Sequence, residues 1–412
     1  MDKKVFIENR KKVWNNIEDN SIIILFSGAA PKKSADEAYS YTPNRNFYYS
    51  CGVDEENDIL LISKINGIYG ETIFIHKPDL VMEKWIGKCY RDHEVKEISG
   101  IENVAYLESF SSALNNKLIQ GTVNKVYLDL ERDTWKDKTT EPQDLAADIK
   151  IKYPDIIIGN IYGAFSELRM VKSKEEVDKI REAIRITWEG IKSSMKNAKP
   201  GMKECEIEAY FDFELKKNGV KDYAFKTIAA GGKNATVLHY TANDAEVKDG
   251  ELMLMDLGAQ YQYYNGDITR TFPVNGKFTE RQKLFYNIVL KAQYETIKTI
   301  RAGINYKELN AVTRKVYLEE LGKLGMVKTD EDVSKYYFHS VTHHLGLDTH
   351  DVGSRDCTLK PGMVLTMEPG LYIEEESIGI RIEDDVLVTE EGCEILSPYI
   401  PKTVEEIEEF LK

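Results

Sequence analysis

Four acidic residues stand on or at the ends of candidate strands, three of them beside apolar runs. Asp256 ends the apolar run in "ELMLMDLG", Asp267 follows eleven positions later in "YNGDITRTF", Glu368 closes "GMVLTMEPG", and Glu383 lies in "IGIRIEDDVLV". A buried carboxylate without a partner is strongly destabilising or takes up a proton, so each calls for a counter-charge. Histidine is scarce, with seven in 412 residues, yet His339, His343, His344 and His350 all fall within "FHSVTHHLGLDTHD", and His239 sits in "VLHYTAN". Clustered imidazoles suit metal ligation and proton transfer. His339 and His343 are four apart, the spacing of a two-histidine metal face on a helix, but this Gly-containing segment lacks helix signals and reads as loop and strand. Alone, Asp267 beside Asn–Gly reads as a solvated turn residue, and Glu383 with Arg381, or any single histidine, reads equally well as a structural group; Asp256 inside its apolar run does not. Together, four carboxylates and one or more histidines make a hard, oxygen-rich site that suits two divalent cations better than a single structural zinc. Two such ions about 3.5–4 Å apart activate a water and polarise a carbonyl or phosphoryl oxygen.

The elements that must hold these groups are also legible. A hairpin turning at Tyr261–Gln262 sets Asp256 opposite Asp267 on one face, with Cβ atoms about 5 Å apart. Asn265–Gly266 is then a bulge; a turn there instead would pair Asp256 with Asn275. Glu368 comes at the end of an apolar strand, before a Pro–Gly turn. In "IGIRIEDDVLV" Ile378, Ile380 and Ile382 share one face and Gly379, Arg381 and Glu383 the other, so an acid and a guanidinium project together. Asp384 and Asp385 read as solvated charges at the strand end. Ser173 with Glu176, and Thr279 with Gln282, are capping boxes that open long helices, closed by "KPGM" and "RAGI". Each is followed by a shorter helix ("CEIEAYFDFELKKNG", closed by Gly219, and "YKELNAVTRKVYLEELGKLG") and then by strands. That repeat predicts an internal duplication forming one curved sheet with a site between its halves.

The first 165 residues or so alternate apolar runs ("SIIILFSG", "DILLISKI", "ETIFIHKP", "KVYLDL", "DIIIGN") with polar helical stretches, the pattern of mixed α/β structure, without a dense cluster of ionisable groups. The length predicts two domains, residues 1–168 and 169–412, and an α+β architecture overall. A formal charge of −14, from 69 acidic and 55 basic residues, disfavours nucleic acid and anionic membranes as partners. The five cysteines are scattered and form no CxxC pair, which suggests neither a disulfide framework nor a zinc ribbon but buried free thiols in a reducing cytosol. The charged N-terminus has no signal-peptide core, and no run approaches the ~20 apolar residues of a membrane span, so a cytoplasmic location is expected. "AAGGKNAT" lacks the spacing of a phosphate loop. Trp85 reads equally as an intersubunit contact or a core residue.

"MDLGAQYQYYNGDITRTFPV", "THHLGLDTHD", "PGMVLTMEPGLYI" and "GIRIEDDVLVT" together resemble the M24 metallopeptidases over roughly residues 170 to 400. "YTPNRNFYYSCGVDE" resembles the N-terminal domain of the Xaa-Pro aminopeptidase and prolidase branch, which methionine aminopeptidases lack. The resemblance implies the pita-bread fold and two divalent metal ions, with manganese favoured by the oxygen-dominated ligand set over zinc, cobalt or iron. By motif it implies Asp256, Asp267, His343, Glu368 and Glu383 as ligands: Asp256 on one metal, His343 and Glu368 on the other, Asp267 and Glu383 bridging. Glu368 would also accept a proton from the attacking water. His239 and His350 would steady the tetrahedral oxyanion, His339 would line the proline subsite with Tyr372 nearby, and Arg381 would hold Glu383 from behind. The family pattern His-Gly-(Ser or Gly)-His-(Trp or Phe)-Leu-Gly here reads "HSVTHHLG", with Ser340 and His344 as the departures, which keeps every ligand and touches subsite shape.

The implied activity is removal of an N-terminal residue that precedes proline, a bond whose tertiary amide and fixed backbone defeat general peptidases. The partners implied are peptides with proline second, and a second copy of the chain in a homodimer or homotetramer. A prolidase confined to Xaa-Pro dipeptides is the alternative. More remote are a non-catalytic binding module on the same fold and a metal-independent creatinase-like hydrolase, both of which lack this full carboxylate set.

Overall fold

A computed structural model describes residues 1–132 and 134–412, which divide into two compact units, Met1–Leu168 and Arg169–Lys412. In the first unit the apolar runs become the strands Ser21–Phe26, Ile59–Ile65, Ile68–Ile75, Lys125–Leu128 and Ile157–Asn160. Val104–Tyr106 completes a six-stranded sheet; its three half-exposed to exposed residues leave no apolar pattern to read. Ser21–Phe26 is buried along its whole length and pairs antiparallel with Ile59–Ile65 and parallel with Lys125–Leu128. A strand covered on both faces reads as a continuous apolar run, as this one does. Ile22, Ile24, Leu61, Phe74, Val126 and Leu128 form the core with Leu114, Leu118 and Ile149 from the helices Phe110–Ile119 and Glu141–Lys152.

Outside that core, Leu80, Val81, Met82, Trp85 and Ile86 are exposed, and Trp85 at 82% cannot be a core residue within this chain. No disulfide forms among the described residues. Only Cys51 is fully buried, while Cys205 is exposed on a helix and the other three are half-buried, which corrects the expectation of uniformly buried thiols. Among the described residues no helix is long and apolar enough to cross a membrane.

The second unit repeats one pattern twice. Helices Lys174–Asn197 and Glu204–Lys217 precede a three-stranded antiparallel sheet of Ile228–Gly231, Leu252–Leu257 and Ile268–Pro273. Helices Glu280–Ile297 and Tyr306–Lys323 precede a second one of Val364–Met367, Asp384–Val388 and Cys393–Ile395. Both long helices open with the capping boxes read from the sequence, at Ser173 and Thr279. An additional hairpin, Gly370–Ile373 with Ile378–Arg381, carries Arg381 on its edge.

The register of the first hairpin differs from the expected one. Asp256 pairs with Thr269, and the turn falls at Gln262–Tyr263, between the pairs Tyr261↔Tyr264 and Gln260↔Asn265. Gln262 and Tyr263 both have positive φ, 49° and 66°, the geometry of a type I′ turn built without the Asn–Gly that usually announces it. Asp256 and Asp267 are therefore diagonal neighbours on one face, about 7–8 Å apart at the backbone, rather than directly opposite. Asn265–Gly266 is neither turn nor bulge: the Gly266 N–H donates to Ala259 O within the ladder. Glycine is needed at 266 because a Cβ there would stand 2.9 Å from the backbone nitrogen of Ile184, so the helix Lys174–Asn197 seats directly on the hairpin.

Candidate active site

Asp256 lies near the end of Leu252–Leu257, and Asp267 immediately precedes Ile268–Pro273. Glu368 follows Val364–Met367, and Glu383 precedes Asp384–Val388. The histidine loop is laced to the strand before Glu368. The His343 N–H donates to Thr366 Oγ1 at 3.1 Å, the Thr366 N–H to His343 O at 3.0 Å, and the Glu368 N–H to Val341 O at 2.9 Å. As a result one ligand atom each from Asp267, His343 and Glu383 lies within 4.8 Å of the others. His343 Nε2 is 3.4 Å from Asp267 Oδ2 and 3.7 Å from Glu368 Oε1. His343 Nδ1 faces His344 O at 3.0 Å; a carbonyl only accepts, so Nδ1 carries the proton and the Nε2 lone pair points at the carboxylates.

Arg381 is fully buried behind this group, but its partner is not the one expected. Nη2 donates to Asp256 Oδ2 at 2.6 Å, Nη1 to Tyr372 OH at 2.7 Å and Nε to Thr269 Oγ1 at 3.4 Å. It reaches Glu383 only through Thr269, whose hydroxyl donates to Glu383 Oε2 at 2.7 Å. Alternation along the strand puts Arg381 and Glu383 on one face, yet the guanidinium is long enough to cross to the neighbouring hairpin. His339 joins the same chain: its Nδ1 donates to Ser340 O at 2.8 Å, which leaves Nε2 to accept from Tyr372 OH at 2.9 Å. Burial and the Arg381 charge push the His339 imidazole down to about 3, so it is neutral near pH 7.

The charge balance fits bound cations. Burial, then the charge of Asp256, raises Asp267 well above the usual carboxylate range; burial and Asp267 do the same to Glu383. Burial pushes Glu368 up to about 7. Four carboxylates thus meet with the guanidinium of Arg381 as their counter-charge, and Asp256 Oδ1 is buried with no hydrogen-bond partner. An orphaned carboxylate oxygen beside three crowded carboxylates and an imidazole lone pair is the donor set of a divalent-metal centre.

His350 stands edge-on to His343, ring centroids 4.3 Å apart, and burial followed by His343 pushes it down to about 4. His239 is exposed and lies within electrostatic reach of His339 and His350. His344, by contrast, is turned into the core, 2% exposed and stacked on Tyr306 with centroids 5.3 Å apart, so it fills an aromatic's place by stacking. The loop between His344 and His350 is anchored by Asp351, which pairs with the buried Arg169 at 2.6 Å and Lys172 at 3.0 Å.

Asp384 and Asp385 are fully buried, contrary to the expectation of solvated strand-end charges. Asp384 accepts from Arg270 Nη2 at 2.8 Å, Lys402 Nζ at 2.8 Å and Ser397 Oγ at 2.6 Å. Asp385 Oδ2 accepts the Asp267 N–H at 3.0 Å, and Arg270 Nη1 donates to Glu383 O at 2.6 Å. These two acids therefore fix the backbone on either side of the metal-facing carboxylates. Thr269 and Thr366 also belong to the site's framework, and no local signal marks either hydroxyl: the partner of Thr366 is 23 positions away and that of Thr269 is 114.

A model of metallopeptidase family M24 matches residues 178–390, and one of the aminopeptidase P N-terminal domain matches residues 6–127. The chain belongs to metallopeptidase family M24. The Xaa-Pro aminopeptidase of Haemophilus influenzae is 33% identical, over 100% of this chain and 98% of that protein. A solved Bacillus anthracis chain provisionally named aminopeptidase P is 51% identical with a TM-score of 0.98, covering 100% of this chain and 98% of its own. Aminopeptidase P from Escherichia coli, solved with the inhibitor Pro-Leu, is 31% identical with a TM-score of 0.92, over 100% of this chain and 98% of that one. The M24 membership accounts for the duplicated half and for the acidic cluster at its centre, and the N-terminal match for the first unit.

Proposed function

We propose that this M24 chain is a dinuclear metal-dependent aminopeptidase that releases the N-terminal residue from peptides with proline in second position. The observation that carries the reading is the convergence of Asp267, His343 and Glu383 within 4.8 Å. The full-length likeness to Xaa-Pro aminopeptidases supports the choice of substrate.

In this reading Asp256 would hold one ion, His343 and Glu368 would hold the other, and Asp267 and Glu383 would serve both. When bound, two divalent cations would supply an activated water and a polarised scissile carbonyl. Glu368 would accept the proton that the attacking water gives up. His350 and His239, which lie within electrostatic reach of each other, would donate hydrogen bonds to the oxygen that becomes negative. His339, held neutral and oriented by Tyr372, presents a flat apolar wall to the proline ring. Arg381 stays charged and keeps Asp256 oriented while Tyr372 bonds both Arg381 and His339.

Manganese is the proposed metal, since oxygen-dominated ligation with one imidazole favours it over zinc, cobalt or iron. A homodimer or homotetramer is proposed, supported by the exposed apolar side chains of Leu80, Val81, Met82, Trp85 and Ile86. A cytoplasmic location is proposed from the free thiols. The net charge of −14 argues against nucleic acid as a partner. The complete donor set argues against a non-catalytic module.

The test is hydrolysis of an Xaa-Pro tripeptide and the matching Xaa-Pro dipeptide by manganese-loaded protein, before and after chelation. Preferred, chelator-sensitive cleavage of the tripeptide is expected. Cleavage of the dipeptide alone would make the chain a prolidase, and cleavage that survives chelation would overturn the metal-dependent reading.

A further inference from the structure

His239 has no hydrogen-bonding partner among the described residues, and it sits in a stretch without regular structure between the 3-10 turn Gly232–Thr236 and Leu252–Leu257. Something else must hold it. The residue beside it, Tyr240, lays its ring against the buried group Ile228, Ala230, Ala235 and Leu254, the last of these two positions before Asp256 on the same strand. Its hydroxyl turns inward and donates to Glu204 Oε2 at 2.8 Å.

Glu204 opens the helix Glu204–Lys217 and is fully buried. Four donors converge on its carboxylate. Oε1 accepts from the Gly231 N–H at 2.7 Å and Asn234 Nδ2 at 2.9 Å, and Oε2 from Tyr240 OH and the Ala245 N–H at 3.0 Å. The Glu204 N–H returns a bond to Ala245 O at 2.9 Å. Asn234 also donates to Tyr240 OH at 3.0 Å, so the hydroxyl is fixed from two sides. These donors lie before, beside and after His239, and all hang from one side chain. Four hydrogen bonds to one buried carboxylate hold their donors strongly. Ala235, inside the suspended segment, also meets the strand that ends in Arg381: a Cβ on Gly379 would stand 2.0 Å from Ala235 O. The tether therefore references His239 to both strands that carry the Arg381–Asp256 pair.

We infer that Glu204 is a positioning residue for His239, acting through the hydroxyl of Tyr240. The inference rests on the proposed role of His239 toward the substrate. It assigns Glu204 no contact with the reacting atoms. The same logic explains why glutamine would not serve at 204: an amide has one acceptor oxygen and would turn its NH2 toward two of the four donors.

Tyr240→Phe keeps the ring packing and removes only the hydroxyl, so it isolates the tether. With full-length, metal-loaded enzyme and an Xaa-Pro tripeptide, Tyr240→Phe is expected to lower kcat about tenfold with KM, metal content and Tm close to wild type, the scale of one lost hydrogen bond at a positioned group. Glu204→Gln is expected to lower kcat further. In a His239→Ala background the same Tyr240→Phe change is expected to cost less than about twofold, because the group it positions is gone. Equal losses with and without His239 would overturn the inference while leaving the peptidase reading intact. A His239→Ala variant with full turnover would overturn both the inference and the role given to His239. A second readout needs no turnover. With only seven histidines, the ring resonances can be assigned by NMR, and Tyr240→Phe is expected to shift and broaden that of His239. An unmoved His239 resonance would equally overturn the inference.

Discussion

Arg381 Nη2 donates to Asp256 Oδ2 at 2.6 Å, and the other oxygen of that carboxylate is buried without a partner. The guanidinium thus occupies one side of Asp256 and leaves the opposite lone pairs aimed into the acidic cluster. Its second arm bonds Tyr372, which in turn bonds His339. One planar group therefore orients a candidate ligand and a candidate substrate-facing histidine together. Lysine offers a point charge on a flexible stem and cannot make both bonds in that geometry. Arg381→Lys is expected to lower kcat/KM about 10–100-fold, the usual effect of losing an outer partner of a ligand, with the fold retained. Steady-state kinetics alongside circular dichroism check this; wild-type kcat/KM in the variant contradicts it.

Asp267 separates the two contributions of a carboxylate here, like-charge crowding without cations and ligation with them. Asp267→Asn removes one buried charge from the cluster. The metal-free variant is expected to melt no lower than metal-free wild type. Added divalent metal is expected to raise the Tm of wild type, as any ligand of the folded state does, and to raise that of the variant far less. Turnover is expected to vanish in the variant. Thermal melts with and without manganese report the outcome, and an equal metal-induced rise in both proteins would count against Asp267 as a ligand.

A separate carboxylate, Asp58, contributes a pH dependence to the stability of the first unit. Asp58 is fully buried, and burial followed by the charge of Glu55 pushes it up to about 9. In the unfolded chain it ionises near about 4. Between these values the unfolded chain releases a proton that the folded chain retains, so the contribution is complete below about pH 4 and is lost as pH rises toward about 9. Asp58→Asn removes this dependence. The variant is expected to melt higher than wild type at about pH 8, with the gap closing as the pH falls toward about 4. Melting curves across that range decide; a gap that is constant with pH contradicts the assignment.

Elements whose signal is local were readable from the sequence. The capping boxes at Ser173 and Thr279, the buried strand Ser21–Phe26 and the helix–helix–strand repeat all depend on residues within one turn or one strand of each other. Asp256, Glu368 and Glu383 were visible because charge in an apolar strand or at its end is itself anomalous, and Asp267 through its place across the hairpin from Asp256. The hairpin register was not legible: Gln262 and Tyr263 adopt left-handed geometry with none of the residues that favour it, while Asn265–Gly266 offered a turn signal for a position where glycine serves helix approach. Asp384 and Asp385 looked solvated because Arg270, Lys402 and the Asp267 N–H, which account for their burial, come from distant parts of the chain. The four-donor role of Glu204 was hidden for the same reason, since a glutamate at the start of a helix ordinarily reads as a solvated cap.

The central claim is that the acidic cluster exists to hold two cations that do the chemistry. Its most direct test is metal stoichiometry measured on the same protein samples as Xaa-Pro tripeptide cleavage, during stepwise removal and return of manganese. Two ions per chain are expected at full activity, with activity lost as they are chelated and recovered as they are restored, and with neither binding nor cleavage in Asp267→Asn. Binding of two ions by Asp267→Asn as tightly as by wild type, or full cleavage by a metal-free chain, would contradict the account.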